Sequence, residues 1–156
     1  MSDKLSHVDA RGRAGMVRVG DKPVMRRRAV ATGDFCAAPA TLDLVMRGDL
    51  PKGEALSVAR VAGVMAGKKT GDLIPLCHPL PVDFVNVSFE RSAPGKIAVT
   101  AEAGIDAKTG VEMEALTAVS VACLALYDMT KAVDKDLRIE GVRLVEKSKA
   151  ELENGQ

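Results

Sequence analysis

The chain has 156 residues and a net charge of +1; 47% of its residues are hydrophobic, but only 3% are aromatic. This length suits one domain with a real core, and the balanced charge gives no field that would attract nucleic acid or an anionic membrane. Three widely spaced cysteines without a C-x-x-C pair argue against a disulfide framework or a zinc ribbon. We expect a cytoplasmic protein, because the first residues are polar and no apolar run reaches transmembrane length.

The first third of the chain predicts a short strand and two helices. Alternation over residues 16–19 favours a strand, residues 41–46 favour a short helix after Pro39, and residues 54–65 favour a second helix. The basic run at residues 26–28 lies between the predicted strand and the first helix. It is typical either of a solvated strand edge or of a phosphate or RNA contact. Arg60 stands alone in the apolar second helix, and both a solvated and a ligand-binding guanidinium stay open for it.

A proline-rich segment follows the second helix. Three prolines between residues 75 and 81 exclude a helix and predict a stiff, extended path with Cys77 and His78 near its centre. Because adjacent side chains of an extended chain point to opposite sides, we do not expect these two residues to form a nucleophile–base pair or to share a metal ion. His78 is either a packed loop residue or a ligand contact.

The second half of the chain predicts a hairpin, a long helix and a last strand. Residues 82–90 and 96–102 alternate around a turn, residues 111–133 form the helix, and residues 137–146 form a strand with a bulge at Gly141. This order predicts an α+β fold of ferredoxin-like topology, with helices on one face of an antiparallel sheet. We expect one domain over residues 1–156, flexible at residues 1–15 and 148–156.

The long helix carries charges only at its two ends. Glu112 and Glu114 stand at the front, Asp128 and Lys131 at the back, and the body between is apolar all round, which predicts burial on all sides. Asp128 and Lys131 are neighbours on the helix, as an ordinary ion pair or as an acid–base pair in which burial lowers the pKa of the lysine. The two ends lie about 21 Å apart, so the chain is expected to share its sites across a homo-oligomer interface.

Several cations lie in loops or beside apolar elements, which suits a polyanionic small ligand such as a triphosphate. No P-loop motif accompanies them. These residues are Lys52, Arg60, Lys68, Lys69, Lys108, Lys131 and Lys147.

Four segments carry a resemblance to a known family. They are DLIPLCHPL at 72–80, preceded by ARVAG at 59–63, then KTGVEMEALTA at 108–118, YDMTKAV at 127–133 and GVRLVEKS at 141–148. These strings are similar to the signatures of the cyclic pyranopterin monophosphate synthases of molybdenum cofactor biosynthesis, the MoaC family. The resemblance covers residues from about 5 to 148.

The resemblance implies a lyase; we expect no metal site and no cofactor in the protein, while a divalent ion that accompanies the triphosphate stays open. The lyase converts 3′,8-cyclo-7,8-dihydroguanosine 5′-triphosphate to cyclic pyranopterin monophosphate and pyrophosphate. The family assembles as a hexamer, a trimer of dimers, with each site between two subunits of a dimer. No nucleic acid and no membrane are implied as partners.

The same resemblance implies roles for particular residues. Asp128 and Lys131 match the catalytic pair, and Lys52 and Lys147 match further catalytic lysines. The substrate-binding residues are Leu76, Cys77, His78, Glu112, Met113 and Glu114, to which we add Arg60 and Lys69 as cations for the phosphates.

The chain departs from the family pattern in two places. Gly15 and Arg18 stand where the family usually has His and Asp, and Lys149-Ala150-Glu151 replaces a glycine-rich tail. An alternative hypothesis is therefore a catalytically weak paralogue that binds a purine nucleotide triphosphate. An RNA-binding module is disfavoured, because it would need aromatic side chains for base stacking.

Overall fold

The computed structural model of the chain describes residues 8–153. The flexibility predicted for the two ends stays a prediction, and residues 1–7 and 154–156 lie outside the described part. The elements in chain order are β1 (Met25–Cys36), α1 (Pro39–Arg47), α2 (Ala55–Lys68), α3 (Thr70–Leu73), β2 (Phe84–Ala93), β3 (Lys96–Ala107), α4 (Glu112–Thr130) and β4 (Arg138–Ala150).

The four strands form one sheet in the order β2-β3-β1-β4, and every neighbouring pair is antiparallel. Two interleaved β-α-β units generate this order, which is the ferredoxin-like arrangement. The side chains of β3 that face α4, such as Ile97 and Val99, are fully buried, whereas the alternate side chains are only half-buried. The α+β prediction is confirmed.

The basic run of residues 26–28 belongs to β1, an interior strand, so its assignment to a strand edge was wrong. The interior position is tolerated because the neighbouring strands supply carboxylates. Arg28 forms ion pairs with Glu102 of β3 and Glu146 of β4. The strand predicted at residues 16–19 is absent; that segment is irregular and lies beside a cavity.

Helix α4 is the central element of the core, in contact with α2 and with the sheet. It is long and apolar enough to cross a membrane by length and composition alone, but nine of its residues are buried against these neighbours. Small residues allow the close approach: a Cβ added at Gly63 of α2 would lie 2.9 Å from the carbonyl oxygen of Ala118. The fold therefore holds the two charged ends of α4 at a fixed separation.

Local sequence signals fix the ends of several elements. The Glu54 side chain accepts hydrogen bonds from the backbone N–H groups of Leu56 and Ser57, both at 2.9 Å, and so caps α2. Strand β4 contains the bulge predicted at Gly141, where the backbone takes a φ of 65°. Beyond it, β4 continues to Ala150, four residues past the predicted end of the strand, because its last residues pair with the start of β1.

Candidate functional site

A cavity of about 360 Å³ opens beside the N-terminal end of α4. Three segments meet there: the irregular chain before β1, the proline-rich loop after α3, and the first turn of α4. Its walls are formed by Ala14, Gly15, Val17, Val19, Lys22, Leu76, Cys77, His78, Leu80, Thr109, Gly110, Glu112, Met113 and Glu114. The structure thus brings together all six of the residues that the family resemblance assigns to substrate binding.

The proline-rich loop is not extended as expected. A backbone hydrogen bond of 3.1 Å from the N–H of Cys77 to the carbonyl of Ile74 closes a turn. Cys77, which closes this turn, and the adjacent His78 both line the cavity. The short helix α3, which was not predicted, ends at Leu73, before the first proline.

The two glutamates of the cavity differ in their electrostatic environment. Burial raises the pKa of Glu112, but its hydrogen bond with Lys147 and the charges of Lys147 and Arg27 outweigh burial, so the net shift is downward. Glu114 is only 3% exposed. Burial, and next the negative charge of Glu112, raise its pKa. The cavity therefore offers one carboxylate that stays ionised and one carboxyl that holds its proton to higher pH.

Cys77 is the cysteine that lies in the cavity. Burial and the charge of Glu114 raise the pKa of its thiol, which disfavours the nucleophilic thiolate. This environment suits a packing and contact role for Cys77 better than nucleophilic catalysis. Within residues 8–153, no three His, Cys, Asp or Glu side chains are grouped to hold a metal ion.

A second charged cluster lies at the other end of α4. Asp128 contacts two ammonium groups, Lys131 Nζ at 2.7 Å from Oδ1 and Lys52 Nζ at 3.0 Å from Oδ2. Hydrogen bonds from Lys131 and Lys52 lower the pKa of Asp128. The hydrogen bond with Asp128 raises the pKa of Lys131, whose side chain is 55% exposed. The lowered pKa expected for a buried Lys131 is therefore wrong in the single chain, because its pairing with Asp128 outweighs the desolvation of this largely exposed side chain.

Two of the predicted cations lie in neither cluster. The Nε of Arg60 donates to the carbonyl of Val87 at 3.1 Å, and its guanidinium lies over the Phe89 ring. Arg60 thereby contacts β2, which lies at one edge of the sheet. Lys69 lies in a shallow depression beside Pro79. Their roles as phosphate ligands stay predictions, without a contact to the other site residues within one chain.

Sequence reasoning missed the wall formed by the segment before β1. Alternation at residues 16–19 predicts a strand, but in the structure Val17 and Val19 line the cavity while Arg18 is exposed. Nothing in the sequence indicated that Lys22 would line this cavity. The sequence signal for this wall was the alternation of apolar and polar residues. Such alternation predicts that one face of an extended segment is buried, whether or not the segment pairs with a strand.

The fold and the cavity define a ferredoxin-like α+β protein whose site combines a buried carboxyl group, Glu114, and a half-buried one, Glu112, with lysines. The family that matches the chain is described as the MoaC family, over residues 16–150, and the chain belongs to this family.

The chain is similar to three proteins named cyclic pyranopterin monophosphate synthase. It is 57% identical to the one from Novosphingobium aromaticivorans, over 92% of this chain and 90% of the relative. It is 56% identical to the one from Pelotomaculum thermopropionicum, over 92% of this chain and 85% of the relative. With the relative from Chloroflexus aggregans the identity is 53%, over 93% of this chain and 88% of the relative.

Proposed function

We propose that this chain is a cyclic pyranopterin monophosphate synthase that acts in molybdenum cofactor biosynthesis. The substrate is the cyclised dihydroguanosine triphosphate implied by the family resemblance, and pyrophosphate is released. The observation that carries the proposal is the shared cavity: residues 76–78 and 112–114, from two separate family motifs, line one space. Membership of the MoaC family supports the same reaction.

The cavity has the groups needed to hold the ring system of this substrate. The ionised Glu112 accepts hydrogen bonds from N–H groups of the guanine-derived ring, and its contact with Lys147 keeps it ionised and oriented. Burial raises the pKa of Glu114, so of the two carboxyl groups it is the one better suited to hold a proton and donate it in a hydrogen bond to a ring carbonyl. Met113 and Leu76 supply apolar contact to the ring faces.

The cluster at the other end of α4 supplies proton transfer and positive charge. Lys131 and Asp128 exchange protons with the ring as it opens and closes again as a pterin. Lys52 stabilises charge while a sugar oxygen attacks the α-phosphorus and the bond to the β-phosphate breaks, which releases pyrophosphate. Both lysines already contact Asp128, so they are held near one point before substrate arrives.

These two sets of residues serve one reaction when they come from different subunits. The cavity residues and the Asp128 cluster lie at opposite ends of a 19-residue helix, which is about 28 Å long at 1.5 Å per residue. The single chain also leaves large apolar side chains exposed on α2 and α4: Val61 at 57%, Met65 at 52% and Leu124 at 58%. A second copy of the chain that covers these helices brings the Asp128 cluster of one subunit to the cavity of another. A hexamer built as a trimer of dimers would have such interfaces.

Mixing inactive variants tests the shared site. His78→Ala damages the cavity and Lys131→Ala damages the other cluster, so each homo-oligomer is expected to be inactive. In a mixed dimer one site carries both changes and the other carries neither. Random reassembly should restore about a quarter of wild-type turnover. Failure to restore any activity in verified mixed oligomers would show that each chain holds a complete site.

Turnover by the wild-type chain separates the proposed function from the weak-paralogue alternative. Incubation with the cyclised dihydro-GTP should yield equal amounts of pyrophosphate and of the pterin product, measured by a coupled phosphate assay and by mass spectrometry. Stoichiometric binding of the substrate without either product would favour the paralogue. The relatives named as synthases do not favour that alternative.

A further inference from the structure

The segment before β1 brings a lysine into the cavity wall. Lys22 lies in a turn closed by a hydrogen bond of 3.1 Å from its N–H to the carbonyl of Val19. Among residues 8–153 it is the one lysine or arginine in the lining of the cavity, which also holds Glu112 and Glu114. Gly15, on the same wall, contributes no side chain of its own.

Lys22 differs from the other lysines of the two clusters in its pairing. Lys147 contacts Glu112, while Lys52 and Lys131 contact Asp128. Over residues 8–153, the Lys22 ammonium has neither a carboxylate nor a carbonyl as its partner. An ammonium without such a partner can meet an anionic ligand without first breaking an ion pair.

Hydrogen bonds from Lys108 and Arg27 anchor the turn that carries Lys22. The Lys108 ammonium donates to the carbonyl of Gly20 at 2.6 Å. The carbonyl of Lys108 in turn accepts from Nη2 of Arg27 at 3.2 Å, and the buried Nε of Arg27 has no partner among the described residues. This chain of contacts connects the turn to β1, the interior strand, so the position of Lys22 is set before a ligand arrives.

We propose that Lys22 binds the triphosphate of the substrate, and that Lys108 is the positioning residue that holds its turn. This inference rests on the proposed function. Carboxylates such as Glu112 favour the N–H donors of the ring and repel phosphate oxygens. The cavity therefore needs a cation on its wall for the anionic end of the substrate, and its lining supplies Lys22.

The kinetic constants of two Lys22 variants and of a matched control test whether Lys22 binds the triphosphate. Lys22→Met should raise KM about tenfold with kcat within about twofold, the size of one charge-assisted hydrogen bond made equally to substrate and transition state. Lys22→Arg should recover most of the loss. Arg18→Met removes the same charge from the same segment but from its exposed face, and should leave both constants unchanged.

Binding of inorganic pyrophosphate, measured by calorimetry on the assembled protein, separates this inference from the proposed function. Wild-type protein should bind it, and Lys22→Met should weaken binding about tenfold. Unchanged binding and KM in Lys22→Met, or no pyrophosphate binding by the wild type, would overturn the inference. Absence of the pterin product from wild-type protein that does bind pyrophosphate through Lys22 would instead count against the proposed function.

A double-mutant cycle tests the positioning role of Lys108. Lys108→Met should weaken pyrophosphate binding several-fold in the wild-type background but have no further effect in Lys22→Met, because it acts through that residue. Lys108→Arg, which can still donate to the carbonyl of Gly20, should restore binding. Additive effects of the two substitutions would contradict the role assigned to Lys108.

Discussion

Glu112 and Glu114 lie two residues apart in the same cavity, yet the structure shifts the pKa of their carboxyl groups in opposite directions. The difference arises from their surroundings. Lys147 contacts Glu112 and lowers its pKa, whereas burial and the negative charge of Glu112 raise the pKa of Glu114. Such a divided pair can accept hydrogen bonds at one carboxylate and donate from the other. The pair also makes the stability of the protein depend on pH in a way that single substitutions reveal.

Glu114→Gln should stabilise the protein at neutral pH and not at low pH. The pKa of Glu114 is raised in the folded state, so the carboxyl is protonated without penalty below its unfolded pKa, and folding loses stability as pH rises through the folded pKa. Glutamine removes that loss. Denaturant midpoints measured from pH 4 to pH 8 should show a difference from wild type that grows with pH; a constant difference would contradict the raised pKa.

Glu112→Gln should change stability with the opposite sign. The pKa of Glu112 is lowered in the folded state, so its contribution is fully present above the unfolded pKa and is lost as pH falls through the folded pKa. We therefore expect a lower midpoint than wild type at neutral pH and convergence of the two proteins in acid. Denaturant midpoints from pH 4 to pH 8 test this expectation too. A Glu112→Gln variant that is more stable than wild type at pH 8 would contradict the lowered pKa of Glu112.

Cys77 should be the cysteine that thiol reagents modify first. Cys36 and Cys123 are buried, and the pKa of Cys123 is raised to about 12, mainly by burial. Cys77 is partly exposed, and its pKa is raised by burial and by Glu114. One thiol per chain should therefore react fast, with a rate that increases with pH. Glu114→Gln should speed this reaction at a fixed pH high enough to ionise Glu114 in the wild type, as measured by mass spectrometry, and equal labelling of all three cysteines would contradict the burial pattern.

Most of the fold followed from periodicity, whereas the cavity wall did not. Alternation, proline positions and the apolar body of α4 predicted the hairpin, α1, α2 and the last strand, since those signals are local. The basic run of β1 was wrongly predicted to lie at a strand edge, because Glu102, which neutralises Arg28, lies 74 residues away in the sequence. The position of Lys22 was equally out of reach, because it depends on a contact between Gly20 and Lys108 that no local pattern encodes.

Lys131→Ala should abolish turnover without changing the assembly. Lys131 is exposed in the single chain, and among the described residues its ammonium is paired with the exposed Asp128 alone, so its removal leaves no buried group there unpaired. Loss of a positioned acid–base group is expected to lower kcat by about 10² to 10⁴. Lys135→Ala is the matched control: it removes an ammonium that donates to the backbone carbonyl of Lys131 at 2.6 Å but leaves the Lys131 side chain in place, and it should retain most of the turnover. Activity near wild type in Lys131→Ala, with an unchanged sedimentation profile, would exclude the catalytic role.

Gly63→Ala should destabilise the protein by about 1–3 kcal/mol, although alanine is the better helix former. The added Cβ would lie 2.9 Å from the backbone carbonyl of Ala118 and 3.1 Å from the Cβ of Ala122, and neither atom can move without shifting α4. Since α4 carries both charged clusters, the shift should lower turnover as well as the unfolding midpoint. Gly15→Ala adds a Cβ in open space and is the stability control, with an expected change between zero and about 1 kcal/mol of stabilisation. Equal midpoints for the two variants at one protein concentration would show that α2 and α4 tolerate a wider spacing than the structure indicates.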